Sequence, residues 1–128
     1  MSRHLPALWK FRLLRTIHAK GNYSPNRELL DAWAKAEGGS AAFNPLNTTE
    51  PWPGATDYNT AGVKNYPNGA AGIAATAKTL TNGFYDGIVA DLRQADKSSC
   101  RVVHDRRAEF DKWGTGAASI ARVLGCKL

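Results

Sequence analysis

Apolar residues recur at helical spacing from the start of the chain. Leu5, Leu8, Trp9, Leu13 and Ile17 fall on one stripe, with Phe11 and Leu14 beside them, while Lys10, Arg12, Arg15 and Lys20 fill the other side. Pro6 suits a first turn and Gly21 a stop, which predicts a helix from about Leu5 to His18. Ser24-Pro25 reads as a cap followed by proline at the first helical position, and Leu29, Leu30, Trp33 and Ala36 supply the stripe of a second helix. Gly38-Gly39 ends it, because glycine accepts the left-handed conformation that terminates helices.

The period is then lost. Asn44-Pro45, Pro51-Trp52-Pro53-Gly54 and Asn68-Gly69 are turn signals in a segment from Ser40 to about Gly69. Tyr58-Asn59 and Gly62 to Tyr66 predict a short hairpin around Thr60-Ala61. A loop this long in a small domain is usually functional. Helical spacing returns at Ala70 to Leu80, with Ile73, Ala77 and Leu80 on one face, and again through Phe84, Ile88 and Leu92 to about Ala95. Ser98 or Ser99 caps a further segment carrying Val102, Val103, Phe110 and Trp113, which Gly114-Thr115-Gly116 breaks. Ala117 to Leu124 makes a last short helix. The pattern predicts a mostly α (α+β) fold, a single domain over residues 1–128, with a small hairpin and loop lobe between its second and third helices.

Composition fits a globular chain: 128 residues, 43% hydrophobic and 22% charged. No apolar run is long enough to span a bilayer. Lys10, Arg12 and Arg15 interrupt the N-terminal apolar residues, so no signal-peptide core is evident. The formal charge of +6 favours anionic partners: nucleic acid, acidic lipid surfaces or the anionic polymers of bacterial walls. The first basic stripe suits a membrane surface or, more plainly, a solvated face on a core helix. A second basic cluster, Lys97, Arg101, Arg106 and Arg107, is interleaved with Asp105, Glu109 and Asp111 and lacks a recognition-helix or aromatic-platform motif, so nucleic acid is the weaker partner. Cys100 and Cys126 are compatible with a disulfide or with two buried thiols. His4, His18 and His104 are scattered, and no zinc, nucleophile-elbow or phosphate-loop motif is present.

The chemistry concentrates at Glu37. A carboxyl that donates a proton near neutral pH needs a raised pKa. The C-terminal end of a helix presents negative potential, and Trp33 one turn earlier offers an apolar ring; both disfavour the ionised form. The loop that follows is rich in the groups that hold sugars: Asn44, Asn47, Thr48, Thr49, Tyr58, Asn59 and Tyr66 offer amides, hydroxyls and aromatic faces. Glycosidic cleavage with two acids would draw on Glu50 or Asp57. The plainer reading of Glu37 is a solvated helix-end glutamate, and of Asn-Pro-Leu-Asn a turn builder.

The order Glu37-Gly38, Asn44-Pro45, Gly72-Ile73 and Ala75-Thr76-Ala77 resembles the lysozyme-like superfamily, lytic transglycosylases in particular. Gly38 stands where that family has serine, and its Met-Gln turn is absent. Trp33 to Gly38, Asn44 to Thr49, Tyr58 to Val63, Ala75 to Leu80 and Trp113 to Gly116 also resemble, in order, a group of short lysozyme-like proteins encoded by phages of actinobacteria. The resemblance covers roughly Trp33 to Gly116. It implies a lysozyme-like fold, Glu37 as general acid, peptidoglycan as substrate, and no metal or cofactor. It also implies a place in a phage virion or at the bacterial wall, with other phage tail proteins as partners. A catalytically inactive relative that binds glycan or builds a virion tail fits the same residues.

Overall fold

The computed structural model describes Leu5 and residues 8–128; Pro6 and His4 lie outside the described residues. Its element order is α1 (Trp9–Thr16), α2 (Ser24–Glu37), β1 (Thr56–Asp57), β2 (Lys64–Asn65), α3 (Gly69–Leu80), α4 (Asp86–Gln94), α5 (Ser99–Asp105), α6 (Arg107–Trp113) and α7 (Ala117–Leu124). The fold is thus mostly helical with one small antiparallel hairpin, as the hydrophobic periodicity predicts.

Boundaries differ from the periodic reading where local chemistry intervenes. The first helix starts at Trp9 and ends at Thr16, short of Gly21. Ile17 is its C-cap, and His18 follows in the left-handed region at φ 61°. Ser24 is inside α2 and gives no side-chain cap; the cap position belongs to Tyr23. Ser98, by contrast, caps α5 by accepting from the Arg101 N–H. The segment expected as one helix after Ser98 is two, α5 and α6, broken at Arg106. Asn68 caps α3 by accepting from the Ala71 N–H. Phe84, read as part of a core stripe, is exposed and lies under the Lys112 ammonium, because α4 begins two residues later.

Leu13, Leu14, Leu29, Leu30, Ile88, Leu92, Val103, Phe110 and Ile120 are fully buried in one core around Trp33. Trp33 meets Phe110 and Trp113 edge-to-face at 5.0 and 4.9 Å between ring centroids. A smaller cluster of Tyr66, Ala71 and Ala75 fastens the loop lobe to α3. The approach is close at Gly72, where any Cβ would collide with the Phe43 carbonyl oxygen. Cys100 and Cys126 are joined by a disulfide, which ties the chain after α7 to α5. Such bonds belong to oxidising environments. Among the described residues no helix is long and apolar enough to cross a membrane.

Candidate active site around Glu37

Glu37 is the last residue of α2, and Gly38 follows in the left-handed conformation at φ 60°. The carboxyl is therefore placed at the negative end of a helix. Its residue is half-buried. Two segments far apart in sequence close on it. From the loop lobe, Asn47 Nδ2 donates to Glu37 Oε2 at 2.8 Å. From the turn between α6 and α7, the Thr115 hydroxyl donates to Glu37 Oε1. That hydroxyl in turn accepts from the indole N–H of Trp33 at 2.8 Å. Trp33 thus reaches Glu37 through Thr115, its ring being sealed in the core.

Local backbone chemistry explains both arms. Asn47 is left-handed at φ 55°, a conformation asparagine tolerates better than most residues. Its Oδ1 packs against Gly39 and has no hydrogen-bond partner, and a Cβ at position 39 would displace it. Thr115 is carried between Gly114 at φ 108° and Gly116 at φ 86°, so the chain reverses there and presents the hydroxyl inward. Trp113 Nε1 donates to the Leu46 carbonyl at 2.7 Å, which ties the two segments to each other beside the acid.

Desolvation raises the Glu37 pKa above its ordinary value of 4.5, while the hydrogen bonds from Thr115 and Asn47 partly oppose it. The hydroxyl of Thr115 can also accept, since it has two lone pairs and only one is used by Trp33. A protonated Glu37 therefore remains hydrogen-bonded at Oε1.

The other sequence candidates are dispersed over the lobe. Asn44 is buried and builds the loop: its Nδ2 donates to the Thr48 and Lys64 carbonyls, and its Oδ1 accepts from the Thr48 N–H. Thr48 is buried, with its hydroxyl 2.5 Å from that of Thr79. Asn59 accepts from the Ala61 and Val63 N–H groups and shapes the hairpin turn. The strands pair Thr56 with Asn65 and Asp57 with Lys64, centred on the expected Thr60-Ala61. Tyr66 is buried and donates its hydroxyl to the Glu50 carbonyl; burial, with Glu50 nearby, pushes its pKa up. Thr49 and Tyr58 are exposed on the lobe. Glu50 pairs with Lys78 at 3.0 Å and Asp57 with Lys64 at 2.5 Å. Asn47 alone of these residues hydrogen-bonds Glu37. Thr115 escaped the reading of single residues; its signal was the late Trp113-Gly114-Thr115-Gly116 run. Among the described residues no group of three or more His, Cys, Asp or Glu is placed to hold a metal ion.

No protein-family model, curated protein or solved structure matches this chain.

Proposed function

We propose that this chain is a lysozyme-like enzyme that cleaves the glycan strand of peptidoglycan, with Glu37 as general acid. The observation that carries the reading is the environment of Glu37: a half-buried carboxyl at a helix C-terminus, with a raised pKa, held between the core and a polar loop lobe. Such a carboxyl stays protonated to higher pH than a free one and can donate to the leaving oxygen of a glycosidic bond. Glu50 and Asp57 are each ion-paired with a lysine and neither hydrogen-bonds Glu37, which favours a route with one acid. In that route Glu37 gives its proton to the departing sugar. Its carboxylate then takes a proton from the attacking oxygen, which comes from water in a lysozyme and from the sugar's own hydroxyl in a transglycosylase. Asn47 and Thr115 hold the carboxyl in place through both steps. Exposed Thr49, Tyr58 and Asn59 are lobe residues open to contact with the glycan. The disulfide suits work outside a reducing cytoplasm, in a phage virion or at the wall.

One observation favours a second reading, a non-catalytic glycan-binding or virion structural protein: both Glu37 oxygens are already engaged by side chains. Purified peptidoglycan treated with the wild-type chain and with Glu37→Gln separates the two. Soluble glycan fragments from the wild type alone, seen by mass spectrometry, support the enzyme. Anhydro ends would mark a transglycosylase and reducing ends a lysozyme. Wall binding with no fragments from either protein would sink the enzyme and leave the binder.

A further inference from the structure

The two basic clusters of the sequence fare differently in the fold. Lys97 pairs with Asp91 and Asp105, Arg101 with Asp105, and Arg106 with Asp91. Three of the C-terminal cluster's four cations are thereby ion-paired, sharing two carboxylates. The α1 cluster differs. Asp31 reaches α1 but is taken by Lys10, and no ion pair engages Arg12, Arg15 or Lys20 among the described residues. Arg12 and Arg15 are three positions apart and so lie side by side on the helix. They face α3 across a hollow of ≈ 270 Å³ whose floor is Ala70, Ile73 and Ala74. Arg15 also borders a second hollow, of ≈ 580 Å³, with His18, Lys20 and Asn22 on its rim and Phe11 at its side. Neither lining contains an acid. Arg15 lines both hollows, so the two lie next to each other along a cationic track on α1.

We propose that this track binds a linear phosphodiester polymer of the polyol-phosphate kind, a class of chain that carries one anion per small, flexible, uncharged unit. Charge complementarity supplies the attraction. The shape selects the occupant, because a flexible chain can enter consecutive hollows where a flat lipid surface cannot. The ring of Phe11 is covered by the Arg27 guanidinium at 4.8 Å, and Arg27 is itself held by the Gly21 carbonyl. That face of the ring is closed to a stacking base, which counts against a platform for single-stranded nucleic acid. The inference goes beyond glycan cleavage and does not rest on it, since binding is read without turnover.

The test is titration of the full-length chain with purified poly(glycerol phosphate), followed by calorimetry at several salt concentrations. Three proteins are compared: wild type, Arg12→Glu/Arg15→Glu, and Arg107→Glu/Arg122→Glu, which makes the same change in net charge on exposed residues elsewhere. The expected result is wild-type binding that weakens with salt, a loss of about tenfold or more in the α1 variant, and near wild-type affinity in the control. Arg15→Gln serves as a milder second variant, and circular dichroism melts confirm that each protein folds. Three results overturn the proposal: no wild-type binding, equal losses in both double variants, or tighter binding to duplex DNA or phosphatidylglycerol vesicles than to the polymer.

Discussion

Thr115 decides more at the residue scale than its size suggests. Its hydroxyl donates to Glu37 and accepts from Trp33, so it couples the proposed acid to the centre of the core. Thr115→Val removes both functions while keeping shape. The Trp33 N–H is left buried without an acceptor, a loss of about 1–3 kcal/mol expected in urea unfolding. Glu37 also loses a hydrogen bond that favours its ionised form, so its pKa rises further. Carboxyl-carbon NMR should show this directly, and the alkaline limb of any cleavage activity should move to higher pH. The stability sign follows from the raised folded pKa. Glu37's contribution is complete below its unfolded pKa and is lost as pH rises through the folded one, and Thr115→Val extends that loss to higher pH. Thr115→Ser should keep the wild-type titration. An unchanged Glu37 titration in Thr115→Val would refute the coupling.

Elements meet the site through close backbone approaches. The hydrophobic stripes of α2 and α3 were legible because a 3.6-residue period needs only local sequence. The spacing of α3 from the loop lobe was not, since it depends on the Phe43 carbonyl, far earlier in the chain. Gly72 lets α3 approach the Phe43 carbonyl, and a methyl there meets backbone that cannot rotate aside. Gly72→Ala is therefore expected to destabilise by about 1–3 kcal/mol, despite alanine's better helix propensity. Thermal unfolding checks this; a stabilised variant would mean that α3 and the lobe are not packed this closely. The split between α5 and α6 also escaped the periodicity, because Val102, Val103, Phe110 and Trp113 keep apolar spacing across the break at Arg106.

Across the whole molecule, the C-terminal segment is held by charge and by covalent chemistry. Asp91 is buried; desolvation alone would raise its pKa, but Arg106 and Lys97 outweigh that and hold it below the ordinary value. Its depressed pKa makes its contribution complete above the unfolded pKa and lost as pH falls through the folded one. The disulfide closes a loop with a sequence separation of 26 residues. Reduction is expected to lower stability by about 2–4 kcal/mol, chiefly by freeing the unfolded chain. Denaturant melts with and without dithiothreitol measure it, and coincident curves would show that the bridge contributes nothing.

The sequence alone determined most of the helices, the centre of the hairpin and the place of the Glu37 carboxylate at a helix end, because each depends on neighbours within a few turns. Trp33 was legible as a core residue for the same reason. Tertiary structure decided which polar groups reach that acid. Asn44, Asn47, Thr48, Asn59 and Tyr66 all carry polar groups suited to a sugar, yet only Asn47 hydrogen-bonds Glu37; the others bond loop backbone or neighbouring side chains. Thr115 arrives from 78 residues away. The fate of the two cysteines and of the two basic clusters was settled the same way. A pairing partner is a matter of distance in space, and local pattern carries no information about distances that only a packed core sets.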